Sequence, residues 1–421
     1  MGAKISIKYI FKGYLIRKMK RMYKRNKPEL LKPLMKAITK KWFLHRYFID
    51  VNTYKQLFPE KISYIYQESI QLYYSSIKFY NSKLHPLLKE TPGFKYAAVI
   101  EDTEVIGGSS VIILDEQYVL YDLKYALNNT NTDFTDEAIQ YYNNDKIVMD
   151  ANNIDGYFKN AITLINNYSS NYYHFVLEVI AKFEVLSKLS IPTEVPLLID
   201  NICLHVPQFR QAIELFNKDH REIKWVKKGL RYKVEFLYHI KCPNIIPPNY
   251  HQILKIKANH NLFDFTTLEF VRKNVLKKLP KDYKGYKRIF LSRKNASARR
   301  TYNEEDVIKL VEKYNFSIIY VEEKSLEEQA AIFNEAELIL GPTGAAFTNM
   351  IFCKSTCKII CFTNYAIDLS IFSTIANLIG IDMQYIYDKT LTLDSNSNIH
   401  SSFNIDLLQL EEALRQIIHD K

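Results

Sequence analysis

With 421 residues, 47% hydrophobic and 24% charged, the chain has material for two folded domains, and its composition excludes wholesale disorder. The formal net charge of +11 suggests a nucleic-acid partner until it is located. Of the 57 Lys and Arg residues, 14 fall within residues 1–43 beside the single acid Glu29, which leaves 43 basic and 45 acidic groups for the remainder. A basic footprint spread over a binding face is missing, so no nucleic-acid partner is expected. The five cysteines (Cys203, Cys242, Cys353, Cys357 and Cys361) form no CxxC pair and no Cys/His cluster. Reduced, buried thiols are expected, and no metal is assigned to them.

Residues 1–45 read as a basic, helical N-terminal extension. Within residues 4–43, Ile, Leu, Tyr, Phe, Met and Trp alternate with Lys and Arg at roughly helical spacing, broken near Pro28. Such a segment can lie on an anionic membrane surface, each Lys or Arg contributing about 1 kcal/mol. It can equally be a solvated helical pair packed on the body. No run of 18 apolar residues occurs and the N-terminus has no signal-like apolar region, so the expected location is cytoplasmic, or peripheral on the inner face of the plasma membrane.

Tyr and Leu at three-to-four spacing predict a mostly helical stretch over 47–90. Residues 96–124 alternate short β-branched runs with turns at Gly107-Gly108 and Asp115-Glu116, a hairpin pattern, and 145–165 add further strands. A helix is predicted over 171–189, ended by Ile191-Pro192, and then a buried strand over 195–200. Pro243, Pro247 and Pro248 mark the expected interdomain passage. The predicted domains are 46–248, an N-terminal α/β domain on the acceptor side, and 249–421, a nucleotide-binding domain that opens with a helix over 251–278.

From Lys287 the alternation becomes regular. Strands are predicted at 288–293, 317–322, 337–341, 357–363 and 383–388. Helices lie between and after them: 303–314 capped by Asn303, one opened by a Ser325/Glu328 capping box, one starting at GPTGAAFTNMIF, 367–379 and 404–419. Strict β-α alternation calls for a parallel sheet with helices on both faces, and such sheets bind ligands beyond the carboxyl ends of their strands. That rule selects two loops, SRKNASARR (292–300) and GPTGA (341–345). Gly341 and Gly344 would let a ligand approach the backbone where a helix begins, and the arginines offer planar forks for phosphate oxygens. Either loop alone also fits an unliganded turn or a solvated basic loop; their conjunction favours a diphosphate. A third constellation is NYYHFVLE (171–178), where His174 and Glu178 share a helix face, so that the carboxylate can orient the imidazole for proton transfer.

The segments FLSRKNASARRTYNEEDVIKL and SLEEQAAIFNEAELILGPTGAAFTNMIF, preceded by NYYHFVLE, resemble glycosyltransferase family 61, a group that includes capsular polysaccharide enzymes; the likeness covers roughly residues 95–365. The resemblance implies a GT-B fold, two Rossmann-like domains facing a cleft. It also implies an inverting mechanism and a nucleotide-sugar donor, typically UDP-linked, with a glycan or lipid-linked acceptor and no essential metal or other cofactor. The family's usual G-P-H-G-A turn is here G-P-T-G-A, which keeps the backbone and removes an imidazole at Thr343.

On this reading His174 or Glu178 is the base. Arg293 and Arg300, aided by Arg299, hold the diphosphate with the amides of Thr343, Gly344 and Ala345, Gly341 lying at the head of the turn. Thr348, Asn349, Glu328 and Gln329 complete the nucleotide pocket. The alternative is an inactive scaffold of the same fold in a membrane-bound polysaccharide complex.

Overall fold

The computed structural model describes residues 43–419 apart from 83–85, 127–131, 134–135, 137, 144, 151–152, 248, 251–257, 280–282, 284, 295–300, 365–369 and 391–400. Fourteen described strands precede residue 265. They are β1 (Phe43–Ile49), β2 (Ile62–Ser75), β3 (Leu88–Ile106), β4 (Ile112–Ile113), β5 (Tyr118–Leu120), β6 (Thr132–Asp133), β7 (Ile139–Tyr142), β8 (Lys146–Asp150), β9 (Ile154–Thr163), β10 (Leu197–Asp200), β11 (Ile223–Val226), β12 (Arg231–Ile240), β13 (Asn249–Tyr250) and β14 (Phe263–Asp264). Twelve form one mixed sheet with the path β11-β10-β9-β12-β3-β4-β5-β1-β8-β7, to which β2 and β14 attach through β3; β6 and β13 pair separately. Of the two Rossmann-like sheets expected, this one departs from the parallel type. Only the β11-β10-β9-β12 stretch and the β1–β5 pair run parallel.

The helical reading of 47–90 is corrected. That stretch holds one short helix, Val51–Leu57, capped by Asp50, and otherwise the long strands β2 and β3. The Tyr and Ile residues of ISYIYQESIQLYYS follow a period of two as well as a loose helical spacing. Their alternating burial shows that the sheet period prevails, because β3 offers a 13-residue partner from Leu88 to Ile100. The 251–278 helix is shorter than expected, running Phe265–Leu276 behind β14; residues 251–257 lie outside the described residues, and Ala258–His260 form a 3-10 turn.

The second sheet is β15 (Arg288–Leu291), β16 (Ser317–Ile319), β17 (Leu338–Pro342), β18 (Lys358–Thr363) and β19 (Asp382–Tyr387), all parallel in the order β16-β15-β17-β18-β19. Alternate residues serve opposite faces. Ile289, Leu291, Ile339, Ile359 and Cys361 join the core under the helices Leu326–Glu335, Ala345–Phe352 and Ile371–Ile379. Phe290, Leu338, Leu340, Ile360 and Phe362 join the core under Glu304–Glu312 and Leu407–His419. The helix Glu304–Glu312 has Asn303 at its N-cap, yet the expected side-chain cap is not made. The Asn303 amide instead grips Ile405, donating to its carbonyl at 3.0 Å and accepting from its amide at 2.8 Å.

The first of these cores is shared by both sheets, since Phe175, Phe209, Phe263 and Leu268 pack in it beside Ile289, Phe347 and Phe352. The chain also crosses directly. Residues 78–80 run along β19, with Tyr80 N bonded to Tyr385 O and Tyr385 N to Lys78 O, both at 2.9 Å. That crossing gives the edge strand a partner.

A buried charge junction binds three elements of this arrangement. Lys95 of β3 is wholly buried, its Nζ 2.6 Å from Asp264 Oδ2 and 2.9 Å from Glu184 Oε2. Asp264 caps the Phe265–Leu276 helix, and the other Glu184 oxygen holds Lys188 at 2.7 Å. Removing one partner of a buried ion cluster strands the others, at a cost of about 3–5 kcal/mol. Lys95→Met should therefore lower the unfolding free energy in a urea titration by that order, and a loss below about 1 kcal/mol would show that the junction is not needed.

Candidate active site

The helix over 172–186 begins at Asn171, whose side chain accepts from Tyr173 N at 3.0 Å. After one α-turn it widens into a π-helical segment, Phe175–Ile180, and then returns to α geometry. Such segments are uncommon and recur at functional sites. Here the widened turn spans His174 and Glu178. His174 Nδ1 lies 2.5 Å from Glu178 Oε2, and the two residues are 8% and 7% exposed. Tyr168 stacks on the imidazole at 5.0 Å and Tyr173 meets it edge-on at 5.0 Å, which fixes the ring plane. With Nδ1–H directed at the carboxylate, Nε2 carries the lone pair, the arrangement of an oriented general base.

The order β16-β15-β17 places the topological switch point of the second sheet between β15 and β17. Arg288, Ile289 and Phe290 pair in register with Leu338, Ile339 and Leu340, so Ser292-Arg293 and Thr343-Gly344 emerge side by side at the carboxyl edge. Glu304 pins the first loop: its Oε1 accepts from Ser292 Oγ at 2.7 Å and from Arg293 N at 2.8 Å. Burial and the Glu304 carboxylate push the Tyr302 phenol well above its ordinary value, while neighbouring Arg293 acts in the opposite sense. Arg299 and Arg300 lie outside the described residues.

The second loop corrects part of the expected phosphate cradle. The Thr343 amide donates to Phe362 O at 2.7 Å, extending the β17–β18 ladder, so it is engaged within the sheet. Gly341 serves packing, since a Cβ there would come within 2.8 Å of Leu291 Cβ on β15. Gly344 is extended, with φ 169°, and a Cβ would meet nothing nearer than Pro342 O at 3.9 Å; the space beside its backbone is open. The helix that follows, Ala345–Phe352, is a 3-10 helix, and Phe347 N is the amide that turns back to Gly344 O, at 3.0 Å. Gly344 and Ala345 therefore stand at the outer end of the turn, where helical N–H groups lack intrahelical partners.

Four further residues singled out by the sequence have defined positions. Glu328 is exposed and completes the capping box, accepting from Ser325 N at 2.8 Å, and these bonds hold its carboxyl below the usual range. Gln329 and Asn349 are buried and joined: Asn349 Nδ2 donates to Gln329 Oε1 at 2.9 Å, and Gln329 Nε2 donates to the carbonyls of Val321 and Lys324 at 3.0 Å each. Asn349 Oδ1 accepts from Tyr172 OH at 2.7 Å, tying the His174 helix to the Gly344 turn. Thr348 is fully buried beside them. Glu328, Gln329 and Asn349 spend their polar groups on partners within the protein and so hold the loops in place, whereas the buried Thr348 Oγ1 has no hydrogen-bond partner among the described residues.

Sequence reasoning missed a largely apolar pocket on the first sheet onto which Glu178 opens. Lys182, four residues further along the same helix face, lines it with Asp122, His239 and Lys241. A His-Glu-Lys stripe at 174, 178 and 182 was legible in the spacing; Asp122 and His239 come from distant elements and carry no sequence signal. Among the described residues no group of three or more His, Cys, Asp or Glu could hold a metal ion, and all five cysteines are free. Nor is any described helix long and apolar enough to cross a membrane.

Residues 172–360 match the family model described as Glycosyltransferase 61, a span that opens at Tyr172 and closes within β18. No curated protein matches the chain. The Tyr172–Asn349 bond lies inside this span and yields a direct test. Tyr172→Phe should lower stability in denaturant titration by about 1–3 kcal/mol, the cost of leaving the buried Asn349 oxygen without its donor; no change would mean that the bond does not join the two elements.

Proposed function

The chain belongs to glycosyltransferase family 61 and is a glycosyltransferase, and from that premise we propose that it moves a sugar with inversion from a nucleotide-sugar donor, UDP-linked, to a glycan or lipid-linked acceptor in surface (capsular) polysaccharide synthesis. The observation that carries this reading is the register of β15 with β17, which brings Arg293 and Gly344 out together at the switch point, while Tyr172 fastens the His174 helix to the same turn. In this reading the second sheet, with the donor, lies in domain 249–421 of a GT-B enzyme and the first sheet in domain 46–248, except that β1 begins at Phe43 and β14 (Phe263–Asp264) joins it from beyond residue 248.

The step is a single displacement. His174 Nε2 takes the proton of an acceptor hydroxyl as that oxygen bonds to the anomeric carbon. The bond from that carbon to the diphosphate breaks, and its electron pair leaves on the nucleoside diphosphate. Glu178 holds Nδ1–H and stabilises the imidazolium that forms. The charge on the leaving group is met by the Arg293 guanidinium and the amides of Gly344 and Ala345, and Arg299 and Arg300 are assigned to the same task. Glu328, Gln329, Thr348 and Asn349 act by shaping the loops that carry these groups. Because guanidinium and peptide N–H groups supply the positive charge, turnover should persist in excess EDTA. Residues 1–43 are assigned to an anionic membrane surface, which would bring the enzyme to a lipid-linked acceptor.

His174→Ala and Glu178→Gln should each lower kcat by about 10²- to 10⁴-fold while calorimetry still detects nucleoside diphosphate binding. Arg293→Ala should weaken that binding about 10- to 100-fold, as expected for lost charge-assisted hydrogen bonds. Unchanged turnover in His174→Ala would remove the base assignment, and unchanged nucleotide affinity in Arg293→Ala would remove the donor site.

A further inference from the structure

The pocket onto which Glu178 opens contains a second acid–histidine pair that the donor site does not use. His239 sits on β12 between Ala98 of β3 and Thr163 of β9 and is 7% exposed. Its Nε2 lies 2.8 Å from Asp122 Oδ2, and the other Asp122 oxygen accepts from Tyr96 OH at 2.5 Å. Asp122 thus accepts from both neighbours, which places the imidazole proton on Nε2 and the lone pair on Nδ1. His239 lines the pocket, and its Nδ1 is buried and has no hydrogen-bond partner among the described residues. A buried acceptor left in this state is destabilising, and an O–H donor entering the pocket relieves that cost.

The groups around Nδ1 narrow the class of that donor. The Lys182 amine lies within electrostatic reach of Glu178, Asp122 and Asp200 and donates to Ile165 O at 3.3 Å, and Lys241 is a second cation on the pocket lining. Asn166 and Asn167, which can both donate and accept, lie on the same wall, over an apolar floor formed by the sheet. Alternating donors and acceptors over an apolar floor match the vicinal hydroxyls and the C–H face of a sugar ring, whereas a simple alkyl alcohol would satisfy one of them. Through Asp122, Lys241 and Ile245 the pocket adjoins a second depression that includes Asn52 and Phe94, a path for a chain of more than one ring.

We propose that this pocket binds the acceptor and that the acceptor is a saccharide, one of whose hydroxyls donates to His239 Nδ1, with Asp122 as the positioning residue that fixes the imidazole. The proposal rests on the glycosyltransferase reading above and deepens it. It places the acceptor ring beside Glu178, on the side of the His174 helix reached through Lys182.

The test uses binding as well as turnover. A panel of p-nitrophenyl hexosides and pentosides is titrated by calorimetry into the full-length protein and three variants: His239→Gln, whose amide can still reach Asp122 but offers nothing at the Nδ1 position; His239→Asn, whose carbonyl can stand near Nδ1; and His239→Phe. At least one glycoside should bind the native protein. His239→Gln and His239→Phe should weaken it about tenfold or more, the loss expected for one buried hydrogen bond, and His239→Asn should recover part of it. In transfer assays the same variants should raise the acceptor KM by the same factor while the calorimetric affinity for uridine diphosphate is kept. Glycoside affinity equal in all four proteins would overturn the proposal. So would the absence of any glycoside binding to the native protein, or loss of glycoside and nucleotide affinity together, which would mark His239 as a fold residue. Saccharide binding that depends on His239 without turnover of any nucleotide sugar would leave this pocket standing and sink the donor reading instead.

Discussion

The geometry of the candidate site depends on one buried amide. Asn349 lies where the helix carrying His174 meets the turn carrying Gly344, and its side chain is shared between them: the oxygen accepts from Tyr172 and the nitrogen donates to Gln329. Gln329 in turn holds the two carbonyls that precede its own helix. Group transfer tolerates little error in position, and a displacement of the order of 1 Å between base and leaving group can cost a large factor in rate. A chain of satisfied, buried hydrogen bonds is a means of holding that distance, because breaking any link leaves polar groups unpaired where water does not reach.

A second joint, at Lys95, works by charge. It binds β3 to the far end of the same helix and to the capped start of Phe265–Leu276. The helix over 172–186 is therefore fastened at both ends, by neutral amides near the second sheet and by an ion cluster at the first. Between the fastenings lies the π-helical segment Phe175–Ile180, which carries Glu178 and follows directly on His174, the one place where the helix departs from regular spacing. In this way the fold sets an irregular, polar turn inside a helix whose other faces are packed in the shared core.

The second sheet was legible because five short apolar runs alternated with amphipathic helices, and a parallel sheet is what such a pattern can build. The residues of its two loops were legible for the same reason, since topology fixes which strand ends face a ligand. Their individual roles were less so. Thr343 looked like part of an anion cradle, but its amide completes the ladder to β18, and Gly341 makes room for Leu291. Gln329 and Asn349 stood out by motif, but only coordinates show that they bind each other. The first sheet was misread at 47–90, where the tyrosines satisfy two periods at once and the long partner strand β3 decides between them. Asp122 and His239 could not be paired from sequence, because 117 positions separate them and their meeting depends on the full strand order.

The central claim is that negative charge shed by a departing nucleotide is received at the carboxyl edge of β15 and β17. A crystal structure of the protein with uridine diphosphate tests it most directly. The claim predicts phosphate oxygens about 3 Å from the amides of Gly344 and Ala345 and in contact with the Arg293 guanidinium. A nucleotide bound with its phosphates elsewhere, on the first sheet or at the opposite edge of the second, would contradict it.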